Sequence, residues 1–222
     1  MTLYKIILIL HIISGFLALV MGLVAMTTKK GAKFHILSGT IYHYSMLGVF
    51  LTSSAMFFIK GTPLLFLFLI GIFSYYQVIT GIRYLRIQNK PARLKWYDYF
   101  CSITGFIAGA TMILLGLYFL IKGVDLVGWI SISFGLVLFS ITLVDILYIF
   151  ALRKSITRLK KPLVRHISRM GGAYIATFTA FVVTNLSFLP GYIGWFGPTV
   201  IGSIFLSYST RKYHQRTKRV KT

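Results

Sequence analysis

The sequence predicts an all-α, polytopic transmembrane helical bundle of seven spans, and three observations predict it. Hydrophobic residues make up 57% of the 222 positions and charged ones only 12%, with a mean hydropathy of +0.80, far from the balance of a soluble globular domain. Seven apolar runs recur along the chain, each near the ~20 residues that cross a ~30 Å hydrocarbon core. The runs show no period-two alternation and are about twice the length of a barrel strand, so backbone hydrogen bonding in lipid leaves helices as the solution.

The first span covers about residues 3–27. A single Lys5 precedes it and TTKKGAK follows without a small-residue cleavage site, so it reads as a retained span rather than a signal peptide. The second and third cover about 35–59 and 63–83, the latter opening at Pro63, where a missing N–H costs little. The fourth and fifth cover about 99–121 and 126–151. The sixth and seventh, about 167–189 and 191–209, are separated only by the Pro190-Gly191 corner. Pro198, with Gly194, Trp195 and Gly197 around it, makes the seventh the least regular. Residues 1–210 thus form one transmembrane domain and 211–222 a basic tail, because the longest polar gap, 153–166, is too short to bury a core of its own. Small residues at helical spacing, Ser14, Ala18 and Gly22, Gly105 and Gly109, and Gly172, Ala176 and Ala180, mark faces where helices can approach closely.

Charge sets the orientation. The net charge of +21 would suggest nucleic acid in a soluble protein, but the cations sit in short gaps between apolar runs, so no nucleic-acid partner is expected. Lys29, Lys30 and Lys33 fill the first gap, Arg83 to Lys95 the third, Arg153 to Arg169 the fifth, and Arg211 to Lys221 the tail. Only Lys5, Lys60 and Lys122 of the 24 lie on the other side. The positive-inside rule then places the N-terminus outside and the C-terminus in the cytoplasm, with anionic lipids against the basic face. Trp96 and Tyr97 at one boundary, and Trp129 and Trp195 at the other, fit interfacial belts.

Ionisable groups inside a span are costly and by default mark function. HIISG at 11–15 and HILSG at 35–39 are near copies in a chain with five histidines. His11 lies ~12 Å in from the outer end of its helix and His43 a similar distance in from the inner end of the next, so the two differ in depth by only ~6 Å. His35, His166 and Asp98 sit at the inner boundary and Asp145 ~9 Å above it. Glycines one turn from His11 and His35, at Gly15 and Gly39, leave a shelf for a flat group. The leading expectation is therefore b-type haem held by His11 and His43, with His35 and His166 as further candidate ligands, passing electrons to a quinone or redox partner. It requires helices 1 and 2 to be non-adjacent, since directly packed helices lie roughly 8–10 Å apart.

Three alternatives stand beside it. His35, His166, Asp98 and Asp145 share a layer and make a candidate metal site for a membrane enzyme. Asp145, with Arg165, Arg169 or His166 as its partner, suits a small-solute or proton-coupled transporter. A structural or assembly role is the fourth. The chain has no Glu and no G-x-S-x-G, phosphate-binding or dinucleotide motif, and Cys101 is alone, so whether it is an enzyme stays open.

The stretches HIISGFLALVMG, KGAKFHILSGTIYHYSM and RHISRMGGAYIATFTAF carry a resemblance. The pattern K-G-x-x-x-H-x-x-x-G-x-x-Y together with R-H-I-x-R-M-G-G-A-Y resembles a family of bacterial multi-pass membrane proteins classed as a domain of unknown function. The resemblance implies a polytopic membrane protein and singles out His11, His35 and His166. It implies no cofactor or activity, and it does not extend to Asp98 or Asp145.

Overall fold

The computed structural model describes residues 2–87, 90, 93–154 and 162–219, with the side chains of Pro63 and of residues 212–219 left aside. Among these residues the chain forms seven α-helices: α1 Leu3–Thr27, α2 Lys33–Lys60, α3 Leu65–Ile87, α4 Trp96–Ile121, α5 Asp125–Arg153, α6 Pro162–Asn185 and α7 Gly191–Arg219. Four of them, α1, α3, α4 and α5, are long and apolar enough to cross a membrane, which is consistent with a membrane protein. The others are helical but less apolar. α2 buries Ser38, Ser45 and Ser53 and α6 buries Arg169 and Thr179, so their polar content serves the interior.

Boundaries differ from the apolar runs where turn chemistry decides. A 3₁₀ turn, Thr62–Leu64, carries the proline expected to open the third span, and Gly61 before it takes a φ of 72°, which suits glycine. Gly123, at φ 73°, turns α4 into α5 in the same way. α6 begins at Pro162, ahead of the expected 167, since proline at a first helical turn sacrifices no hydrogen bond. α7 runs unbroken through Pro198 to Arg219, so the helix continues into the segment expected as a separate tail. Of the expected basic gap five, Arg158, Lys160 and Lys161 lie outside the described residues, as does Lys221 of the tail.

α3 is the central helix: 56% of its apolar window is buried, against 11% for α1. It divides two cores. On one side Leu69, Phe73 and Tyr76 pack with Ala108 and Met112 of α4, Phe134 and Leu138 of α5 and Ala176 of α6. On the other, Val78 meets Ala18, Tyr42, Met46 and Ala173. The α1–α2 hairpin therefore flanks α3 and α6 on one side, the α4–α5 hairpin on the other, and α7 leans on α6. Large apolar side chains such as Ile12, Phe16, Ile107 and Leu147 point outwards, a surface that suits lipid.

Glycines let the α4–α5 backbones touch. A Cβ on Gly109 would stand 2.7 Å from the Phe139 amide nitrogen, and one on Gly135 2.8 Å from that of Ile113. The expected stripes at Gly22, Gly105 and Gly172 also sit in close contact, against Tyr174, Thr142 and Gln77.

Candidate functional site

Asp145 lies eight residues before Arg153 at the end of α5, about 12 Å of helix, and is 2% exposed. A carboxylate removed from water needs donors, and four side chains supply them. The Tyr76 hydroxyl donates to Oδ2 at 2.6 Å, while Oδ1 accepts from Tyr84, from Arg169 Nη2 at 2.7 Å and from Arg165 Nη1 at 3.3 Å. Arg165 Nη1 also donates to the Tyr84 hydroxyl at 2.8 Å, which links the four into one network.

Helical spacing explains the convergence. Tyr76 and Tyr84 are two turns apart on α3, and Arg165 and Arg169 one turn apart on α6, so each pair shares a face. Tyrosine rings hold the guanidinium groups: Arg165 lies 4.9 Å from the Tyr84 ring and 5.1 Å from that of Tyr148, and Arg169 5.9 Å from Tyr76. The cluster carries two guanidinium groups for one carboxylate. Arg169 Nη2 also donates to the Ile141 carbonyl at 3.2 Å, but its buried Nη1 has no hydrogen-bond partner among the described residues, and neither has Nε2 of Gln77 on the facing turn of α3.

A second ion pair stands nearer the α3–α4 connection. Arg83 Nε donates to Asp98 Oδ1 at 2.7 Å and its Nη2 to Oδ2 at 2.6 Å, a two-pronged pair seated over the Tyr97 ring. Asp98 also accepts from the Lys95 amide at 2.8 Å and so caps α4. Between the two carboxylates lies a cavity of about 30 Å³, bounded by Arg83, Tyr97, Asp98, Cys101, Asp145 and Tyr148.

The histidines are placed otherwise than their depths suggested. His11 Nδ1 lies 2.9 Å from Thr52 Oγ1, and that hydroxyl donates to the Gly48 carbonyl at 2.7 Å, so the imidazole is the donor to it. Thr52 is nine residues from His43 along α2, about 13 Å of helix, so His11 and His43 do not face one another. His43 instead stacks on Tyr75 with ring centres 5.9 Å apart. α1 and α2 pack directly, with a Cβ on Gly48 standing 2.7 Å from Ser14 Oγ, so no porphyrin fits between them. Gly15 and Gly39, the expected shelf, have no side chain or neighbouring helix within 4 Å of a Cβ position.

His35 and His166 do come together at the bundle end, within electrostatic reach of each other and of Lys30. Each donates Nδ1–H to a backbone carbonyl, His35 to Ala25 at 2.8 Å and His166 to Gly81 at 3.0 Å. Lys30 closes the α1 C-terminus by donating to Ala25 and Met26, and burial there lowers its pKa. The expected metal quartet is divided: Asp98 and Asp145 are each taken by arginine, away from the two imidazoles. Among the described residues no three His, Cys or Asp side chains converge as a metal site.

Sequence reasoning found Asp145 and its arginines, because a buried carboxylate calls for a cation. It missed Tyr76, Tyr84, Gln77 and the Arg83–Asp98 pair. Their only signals were tyrosines at i and i+8 and an arginine inside an apolar run. Comparison with protein-family models, curated proteins and solved structures found no match.

Proposed function

We propose that this is a seven-span integral protein of a bacterial cytoplasmic membrane, N-terminus outside, whose working centre is the Asp145 cluster, and that this centre binds a small anionic solute for passage across the bilayer. The excess of positive charge carries the reading. Two guanidinium groups share one buried carboxylate, and Arg169 Nη1 has no acceptor among the described residues. An uncompensated charge in a low-dielectric interior is costly, so the centre is suited to an anion that completes it. Arg165 and Arg169 both contact Asp145 Oδ1, at 3.3 and 2.7 Å, so the cations outnumber the carboxylate they share, which favours an anion-handling role for the centre. The basic residues Lys29, Lys30 and Lys33 between α1 and α2 fall at the same end of the helices as Arg83, Arg86 and Lys95 around the end of α3 and the start of α4, which supports a cytoplasmic orientation for that end.

The test is binding and flux. Purified protein in lipid nanodiscs is titrated with chloride, formate and inorganic phosphate while thermal unfolding is followed, and liposomes holding the protein are assayed for uptake of the same ions. At least one anion should raise the unfolding temperature and cross the bilayer, and Arg169→Gln should abolish both effects. No shift and no flux for any of the three in the wild-type protein would overturn the reading.

A further inference from the structure

Asp145 is shut away from water, yet a cavity leads from it towards the loop end of the bundle. Its walls come from the last turns of α3, the first turns of α4 and the last third of α5. At about 30 Å³ it exceeds the ~10–15 Å³ that a single water needs, and along its mostly apolar walls stand the polar residues Arg83, Asp98, Ser102 and Asp145. Exposure grades along it: the Asp145 side chain at one end is 2% exposed, Asp98 and Arg83 at the other 6% and 13%.

The geometry points to a narrow passage that admits a small anion to the Asp145 centre and is latched by the Arg83–Asp98 pair. The inference rests on the reading of that centre as the working site. Arg83 is fixed by both prongs of the Asp98 carboxylate, by the Tyr97 ring at 4.8 Å and by the Arg93 carbonyl, to which its Nη2 donates at 3.0 Å. Asp98 and Tyr97 belong to the start of α4 and Arg93 to the connection before it, while Arg83 belongs to α3, so the pair ties together the two helices that form the outer rim of the cavity. Releasing it opens the rim without touching Asp145, Arg165 or Arg169. Arg83 is also a cation that an entering anion meets first, and its exchange of Asp98 for the anion gives the latch a direct means of opening.

Cys101 lines this cavity and is the sole cysteine of the chain, so it reports on the passage without engineered background. The full-length protein in nanodiscs is exposed to the membrane-impermeant thiol reagent sulfonatoethyl methanethiosulfonate, and the modification rate is read by intact mass spectrometry. Cys101 should react slowly in the wild type, and roughly tenfold or more faster in Arg83→Gln and in Asp98→Asn, the factor expected when one charge-assisted interaction is lost. The exchange Arg83→Asp with Asp98→Arg should return the rate towards the wild-type value. A second reporter, Ala108→Cys in a Cys101→Ser background, sits in the apolar core and should stay unreactive in Arg83→Gln. Equal rates in wild type and latch variants would overturn the inference, and so would a matching gain at Ala108→Cys, which signals general loosening. The labelling needs no bound anion: fast latch-variant labelling without any anion binding refutes the centre alone, and anion binding without latch-dependent labelling refutes the passage alone.

Discussion

Arg165 and Arg169 face a single carboxylate, so the effect of any change in this cluster depends on which charge is left over. Asp145→Asn keeps the volume but leaves both guanidinium groups unpaired in the interior, and breaking a buried pair in this way costs about 3–5 kcal/mol. Arg169→Gln leaves Asp145 with Arg165 and both tyrosines and should cost less. The double variant should recover part of the Asp145→Asn loss, since the two sites share one network. Thermal unfolding of the three proteins in the same detergent checks the order. Tyr76→Phe removes the donor to Oδ2 and should cost about 1.5–3 kcal/mol, the usual range for a hydrogen bond to a charged group. Thr52→Val, which breaks the bond to His11 on the far hairpin, should cost only about 0.6 kcal/mol, the average for hydrogen bonds between membrane helices.

Helices in this bundle are set by where glycines permit contact. Gly109→Val drives a branched side chain into the Phe139 backbone, which cannot swing aside as a side chain can, so α4 and α5 must part. A loss of about 1–3 kcal/mol is expected from overpacking alone. Gly15→Ala and Gly39→Ala are the contrast. Neither meets an atom within 4 Å, and alanine is the better helix former by about 1 kcal/mol, so both should be neutral or stabilising. If those glycines framed a cofactor shelf, the same substitutions would lower cofactor content, and an absorption spectrum of each variant after haem supplementation distinguishes the two. The packed hairpin leads us to expect no Soret band in either. The repeat HIISG and HILSG loses its symmetry at this scale too. His11 lies mid-helix against Thr52, His35 at a helix start against Ala25, and the copies share letters but not neighbours.

At the scale of the molecule, the proposed orientation predicts that a reporter active only in the cytoplasm functions when fused after residue 222 and fails when fused within residues 122–124. The opposite result would reverse the orientation. Composition and periodicity determined that the chain is helical, where most of its helices lie to within about five residues, though not that α7 continues to Arg219, and that Asp145 needs a partner, with Arg165, Arg169 and His166 as the choices, because each follows from local chemistry: apolar length, backbone satisfaction in lipid, and the cost of a lone buried charge. Only the tertiary structure decided that α3 is the centre, that two of 14 tyrosines complete the Asp145 network, and that His11 meets Thr52 and not His43. Depth estimates place a residue along the membrane normal but say nothing of its rotation about the helix or of the register between neighbours. Here that register goes with contacts such as Gly48 against the Ser14 side chain and Gly172 against that of Gln77, where a glycine makes room for a neighbour's side chain. Small, common residues leave little trace in a sequence, yet their packing selects which polar side chains face one another.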